Sequence, residues 1–356
     1  MPPARQPAKQ RARSAPRAAG SKARPSRRPA ARSAKRAAGP KLRGGIDLGG
    51  TKIQAIVLDD SHTVMGQARR PTPTEGGPQD VIDAMAGALT AAAEAAGVKT
   101  NTLLGVGVGS PGEIDHEAGT VGNARNLPDW EEPFPVVTSL GGALGTRVDV
   151  GNDVDTATHG EFELGAAKEY DSILGVFWGT GVGGGIILDG KPWFGRGAAG
   201  EVGHVVVHDG GRRCTCGRRG CMEAYAGRMA MELRARRLHK KGKHTDLFRI
   251  MEKRGRPRLT SGVWARALEH GDPLAHDLLD DAIAALGAGV ASCVNVLDVE
   301  AVVIGGGMGV RFGQPYVTRI EAAMAPHVFA ADRPPAVLLA ALGDLGGAIG
   351  ASLLID

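Results

Sequence analysis

From about Gly44 onward, apolar residues fall in short patterns separated by glycine-rich breaks. Ile53–Leu58 alternates as a strand does. Gly45-Ile46-Asp47-Leu48-Gly49-Gly50-Thr51-Lys52 leads into it, which predicts a β-hairpin with a glycine turn. Helical spacing runs from about Gln79 to Ala96, and Leu103–Gly109 reads as a buried, glycine-rich strand. Asp149–Gly160 carries a second strand end and a polar stretch, and Ile173–Leu188 repeats strand, glycine turn, strand. Helices are predicted after Cys221, near Ser261–His270 and from Leu274 to about Leu297. Ala301–Ile304 is a short buried strand before Gly305-Gly306-Gly307, and a last helix runs from about Gly346. Strands alternating with helices predict α/β layers. The length of 356 residues predicts two packed units.

Composition adds a core prediction. Hydrophobic residues make up 42 % but aromatics only 4 %, so the core is expected to be Ala, Val, Leu and Ile. The 54 glycines follow no G-x-y period, which excludes collagen and predicts many tight turns. The net charge of +5 divides unevenly. Residues 1–43 hold 14 of the 43 Lys and Arg and no acid, so residues 44–356 carry 29 basic against 38 acidic residues, about −9. Basicity therefore describes a tail, and a nucleic-acid role for the whole protein does not follow from it. With few large apolar residues, the tail is predicted to be disordered. Three readings of it stand: a solvated arm, non-specific polyanion contact, or an organellar leader. It lacks the spaced apolar residues of a helix-turn-helix. No run approaches the roughly 18 apolar residues of a membrane span, and no apolar stretch follows the basic start as in a signal peptide.

Two features carry chemistry. His204, Cys214, Cys216 and Cys221 form H-x9-C-x-C-x4-C, a ligand set for a closed, structural zinc site in a reducing compartment. Arg218 and Arg219 between the ligands are expected to lower the thiol pKa values. The fourth cysteine, Cys293, reads as a small buried hydrophobe. Second, the turns Asp47–Thr51 and Gly179–Gly183 lie about 130 residues apart, as duplicated halves would place them. Facing each other, they would hold a polyphosphate between backbone N–H groups. Neither has the Walker form, and neither leads directly into a helix as a dinucleotide fold requires.

Taken together, the motifs resemble the ROK family of bacterial sugar kinases and sugar-responsive repressors, closest to its glucokinases. The resemblance spans nearly all of residues 44–356. It rests on Asp47–Lys52, Gly109-Ser110-Pro111-Gly112, Asn126-Leu127-Pro128 with Trp130, Asn152-Asp153, Gly179–Gly185, Glu201-Val202-Gly203-His204 and Cys214–Glu223. It implies an actin-like (ribonuclease H-like) ATPase fold, two α/β domains around a cleft. Residues 44–151 would form a small domain joined by a C-terminal helix at about 340–356. Residues 152–339 would form a large domain with a zinc loop at 204–221. The implied reaction is ATP-dependent phosphorylation of a hexose at its 6-hydroxyl, glucose foremost. N-acetylglucosamine, mannose and fructose are alternative substrates, polyphosphate an alternative donor, and a sugar-responsive regulator an alternative role.

By its position in the family motif, Asp153 would be the base, with Asp149 and Asp155 as neighbouring competitors and a helix N-cap as its structural alternative. Val154-Asp155 departs from the family's Ala-Asn. Asn126, Asn152, Asp153, Glu201, His204 and Glu223 match sugar-binding positions, with His204 serving both zinc and sugar. Mg-ATP would lie at Asp47, Gly49, Gly50, Thr51 and Lys52 on one side, and at Gly179, Thr180 and Gly181 on the other. Asp47 would meet magnesium through water. Gly305 and Gly306 would admit adenosine, unless they only cap a helix. The family further implies a homo-oligomer, a dimer or tetramer; a cytoplasmic location and no membrane contact are expected from the cysteine usage and the lack of a long apolar run.

Overall fold

Two five-stranded sheets built on one plan organise the chain; the computed structural model describes residues 41–355. The basic tail lies outside the described residues except at its end, where the boundary needs correcting. Leu42 is buried, its carbonyl accepts from Leu104 N at 2.8 Å, and Arg43 already pairs with Leu58.

In the first sheet, β1 (Arg43–Leu48) and β2 (Lys52–Leu58) form an antiparallel hairpin, and β3 (Val64–Pro71) pairs with β2. β4 (Val106–Ser110) runs parallel to β1. A small ribbon of β5 (Glu113–Asp115) and β6 (Thr120–Gly122) follows, and β7 (Val148–Asn152) runs parallel to β4. The order is β3-β2-β1-β4-β7. The second sheet repeats it. β8 (Ile173–Trp178) and β9 (Val182–Leu188) form the hairpin, and β10 (Lys191–Pro192) pairs with β9. β11 (Ala301–Gly305) and β12 (Ala336–Leu339) continue in parallel, giving β10-β9-β8-β11-β12.

The helices cover these sheets. α1 (Pro78–Ala95) and α2 (Val136–Leu144) belong to the first half. α1 begins with Pro78 in its first turn, and Asp80 Oδ2 accepts from Gly77 N at 2.9 Å. Val81, Ile82, Met85, Ala88, Leu89 and Ala92 recur every three or four residues, all buried, on β2, β3 and α2. Full burial of a Leu-sized side chain stabilises by about 1.5–3 kcal/mol. α3 (Asp153–Glu163) opens the second half, followed by α4 (Glu223–Ala226), α5 (Arg228–Lys240), α6 (Leu247–Lys253), α7 (Ser261–Glu269) and α8 (Pro273–Leu297). α9 (Gly306–Phe312), α10 (Gln314–Met324) and α11 (Gly346–Ser352) complete the set. Among the described helices, only α8 is long and apolar enough to cross a membrane, which qualifies the reading of no such run. Its apolar stripe, Leu278, Leu279, Ala282, Ile283, Leu286 and Val290, is buried in the core of this half.

The cores are mostly aliphatic as expected but are not purely so: Trp178 and Trp264 in this half and Trp130 in the first are among the largest fully buried side chains. The indole N–H of Trp130 donates to Val121 O and that of Trp178 to Ala226 O. Cys293 is half-buried rather than buried, and burial pushes its thiol up to about 11.

α3 and α11 join the two halves. α3 packs on β8 and β9 of one sheet, on β4 of the other, and on α11, which itself packs on β1 and β4. Glycine makes this approach close: a Cβ at Gly350 of α11 would collide with the Thr156 carbonyl of α3, and one at Gly107 of β4 with the Ala351 carbonyl of α11. A number of the 54 glycines thus serve helix–sheet contact rather than turns. The strands β3, β5, β6, β10 and β12 and the helices α2, α6 and α10 escaped the sequence pattern, whereas α9 answers to the helix cap weighed at Gly305 and Gly306.

Candidate active site

The strand ends of the first sheet bring the acids together. Asp47 of β1 pairs with Gly109 of β4, and Gly109 with Gly151 of β7. One residue on, Ser110 pairs with Asn152, and β7 runs directly into α3. Asn152 is the cap of that helix: its Oδ1 accepts from Val154 N at 2.9 Å and Asp155 N at 3.3 Å. The N-cap role weighed for Asp153 therefore belongs to its neighbour, which leaves the Asn152 amide as a donor. Asp153 is the first helical residue, and Val154 N donates to its Oδ1 at 3.0 Å.

Burial, then the charges of Asp47 and Glu201, push the Asp153 carboxyl up to about 7, against the opposing hydrogen bond from Val154 N. Burial, Asp153 and Glu201 push Asp155 to about 7 as well. Asp47 is raised by burial, with Lys52 opposing and Asp344 adding. Its carboxyl abuts Gly347 of α11, and Lys52 Nζ lies 3.8 Å from Asp344. Asp149 sits back on β7, with its Oδ1 accepting from Val150 N at 2.9 Å. Asn126 is exposed beside Gly50, at the rim of the first glycine turn.

The second turn closes with Gly179 N donating to Gly181 O at 2.9 Å. The start of α5 holds it: Arg228 N donates to Gly179 O at 3.1 Å and Met229 N to Thr180 O at 3.0 Å. Gly305 pairs with Phe177 at the end of β8 and caps α9. Gly306 has φ +78°, and a Cβ there would lie 2.6 Å from the Trp178 carbonyl, so only glycine fits.

His204, Cys214, Cys216 and Cys221 converge: their donor atoms lie within 4.8 Å of one another. Cys216 and Cys221 Sγ are 3.7 Å apart, and Cys214 Sγ is 3.8 Å from His204 Nδ1. The edge of a tetrahedral zinc–thiolate site is about 3.8 Å, so the donor set fits the ion. The expected effect of the two arginines is only partly met. Burial pushes Cys214 up to about 12 and also raises Cys221. Burial opposes ionisation of Cys216 too, but hydrogen bonds from Arg218 N and the neighbouring thiols lower it to about 7.

Two sugar-site expectations change in detail. Glu223, at the start of α4, is already engaged: Oε2 accepts from Val182 N at 3.0 Å, and Oε1 from Thr215 Oγ1 at 3.1 Å and Cys214 Sγ at 3.6 Å. It ties the cysteine loop to the second glycine turn. Glu201 is exposed, with Oε2 3.7 Å from His204 Nε2, so the ring points one nitrogen at Cys214 and the other at Glu201.

Two residues escaped sequence reasoning. Glu161 of α3 is 2 % exposed, yet its carboxylate accepts from Ala166, Ala341 and Leu342 N, each at 2.9 Å. It pins the segment between β12 and α11 to the helix that starts at Asp153. Arg228 donates from Nη2 to Thr180 Oγ1 at 2.8 Å. No local spacing announces either contact. A cavity of about 420 Å³ lies elsewhere, against Arg234, Lys243 and Asp277, and includes none of these residues.

The ROK family profile matches residues 43–356. The chain belongs to the ROK family. It is 34 % identical over 272 residues to a glucokinase of Thermotoga maritima, covering 76 % of this chain and 83 % of that one. An N-acetylgalactosamine kinase of Shewanella sp. is 30 % identical, with 87 % and 95 % covered. A ROK family glucokinase from Streptomyces griseus, solved with glucose and AMPPNP, superposes with a TM-score of 0.73 at 31 % identity, over 88 % of this chain and 99 % of that one. The two-sheet architecture is accordingly the actin-like ATPase fold.

Proposed function

We propose that this protein is an ATP-dependent hexose 6-kinase acting on glucose, with Asp153 as the base. One observation carries the reading: a buried carboxylate, raised to about 7, stands where the parallel strands of the first sheet end, close enough to Asp47 and Glu201 to feel their charges. A base poised near neutrality suits a hydroxyl nucleophile.

The sugar 6-oxygen attacks the γ-phosphorus, Asp153 takes the hydroxyl proton, and ADP leaves with the bridging oxygen's electron pair. Phosphoryl transfer demands little beyond positioning and charge neutralisation. Asn126, the free amide of Asn152, Glu201 and His204 orient the sugar. Glu223 contributes from a carboxylate held by Val182 N and Thr215. Gly49, Gly50 and Thr51 present backbone N–H groups to phosphate from one turn, and Gly179, Thr180 and Gly181 from the other. Gly305 and Gly306 give adenosine a surface without side chains. Asp47 and Lys52 are the residues to hold magnesium and phosphate; the cation would neutralise charge developing on the phosphoryl oxygens. The acids around Asp47 and Asp153 fit a divalent cation. Zinc at His204, Cys214, Cys216 and Cys221 would have four protein ligands and so a structural role.

We assign residues 44–151 with the C-terminal helix to one domain and residues 152–339 to the other, closing over sugar to exclude water. The enzyme is read as a cytoplasmic homo-oligomer. A second substrate reading has support too: the N-acetylgalactosamine kinase relative shares 30 % identity. A coupled ADP-release assay across glucose, N-acetylglucosamine, N-acetylgalactosamine, mannose and fructose decides between them. Turnover greatest with glucose is expected; turnover with no hexose sinks the kinase reading.

A further inference from the structure

The second glycine turn has a cation built against it. Arg228 opens α5, and its guanidinium is tethered twice: Nη2 donates to Thr180 Oγ1 at 2.8 Å and Nη1 to Leu259 O at 3.1 Å. Among the described residues no ion pair includes it. The acid one turn along its helix, Glu232, is held instead by Arg236 at 2.7 Å and by Leu259 N at 3.0 Å. Burial, with Arg258 nearby, depresses the guanidinium's pKa, and Glu232 opposes this only in part. A cation that is half-buried without a carboxylate partner is costly to keep, and an anionic ligand offsets that cost.

The tether also sets a proton. Thr180 Oγ1 accepts from the guanidinium, so its own hydroxyl hydrogen is free to point elsewhere. Thr180 is exposed at the turn; the Gly179 side is open, and Gly181 lies against the Glu223 carboxylate.

We propose that Arg228 is a phosphate-recognition residue of the nucleotide site: it supplies the positive charge of the second glycine turn and presets the Thr180 hydroxyl as a donor to a phosphoryl oxygen. The assignment rests on the kinase reading and adds a residue that no motif marked. Its ligand class is a nucleoside diphosphate or triphosphate, recognised through phosphate and not through the base.

The test is calorimetric binding of ADP, adenosine and glucose to the full chain and to Arg228→Gln, with Thr180→Val and the double variant alongside. Loss of a charge-assisted contact weakens ADP by about 10- to 100-fold. Adenosine and glucose affinities are expected to stay unchanged, which also reports that the variant folds. The two substitutions are expected to be less than additive, because Arg228 acts partly through the hydroxyl. Steady-state rates should show the KM for ATP rising while the KM for hexose holds. Unchanged ADP affinity in Arg228→Gln, or equal losses for ADP and adenosine, overturns the assignment. If Arg228→Gln does not fold, Arg228→Lys carries the test: it keeps the charge but loses the fork, so ADP binding intermediate between wild type and Thr180→Val is expected, and wild-type binding overturns it. A wild-type chain that binds no ADP overturns the kinase reading itself.

Discussion

The two sheets share a strand order, yet different charged groups meet their glycine turns. The first turn carries Asp47 and Lys52, and the charge of Asp47 reaches Asp153 at the end of the same sheet; both carboxyls are raised by burial. The second is tethered by Arg228 through Thr180, and the Glu223 carboxylate lies against its Gly181 and holds Val182 N. Equivalent backbones have thus been given different work. On the proposed reading both turns meet phosphate, the first beside the carboxylates for proton removal and a divalent cation, the second beside the guanidinium. The cysteine loop belongs to the second half alone, joined to its turn through Glu223.

Several substitutions probe that division, the most damaging first. Asp153→Asn should lower kcat by about 10²- to 10⁴-fold, the range for losing a general base, in the ADP-release assay. The same change should stabilise the fold in a pH-dependent way. A folded-state pKa of about 7, raised from 3.8, means the native state favours the protonated form. That contribution is complete below about 4 and lost as pH rises through about 7. Asp153→Asn should therefore melt above wild type at pH 8 and with it at pH 4; equal melting at both would contradict the burial of this charge. Activity gives the mirror image, with kcat/KM falling as pH drops through about 7 because only the carboxylate accepts a proton.

Next comes the loop of the second half. Cys216→Ser should abolish stoichiometric zinc by metal analysis and weaken hexose binding through His204; zinc retained at one per chain would remove the loop from the picture. Gly350→Ala tests what joins the halves. Its Cβ meets the Thr156 carbonyl, so α3 and α11 must separate, at a cost of about 1–3 kcal/mol in chemical denaturation. Lys52→Ala should matter least for stability. Its pairing with Asp344 spans 3.8 Å and the acid is largely solvated, so below about 1 kcal/mol is expected, with the effect appearing in the KM for ATP instead.

Local sequence was enough for features that close within a few residues. The hairpins at Asp47–Lys52 and Trp178–Val182 are short, and their glycines and flanking strands lie side by side in the chain. The cysteine loop was likewise legible, since Cys214, Cys216 and Cys221 span eight positions and converge with His204 in space. Short edge strands such as β10 and β12 were not legible, because two to four residues carry too little periodicity to separate from a loop. The expectation of an aliphatic core held for most buried positions and missed three tryptophans; the place of Trp178, for one, depends on Ala226, 48 residues away.

Residue types and spacing by themselves thus determined the family and the α/β layers and named the candidate side chains, because those signals are local or repeat along the chain. Tertiary structure decided what each polar atom faces. It placed Asn152 and not Asp153 at the cap, turned Glu223 toward Val182, set the three backbone N–H groups on Glu161, and left Arg228 without an acid beside Thr180. Hydrogen bonds and desolvation act over about 3 Å between segments up to 181 residues apart, and no pattern along one segment encodes that distance.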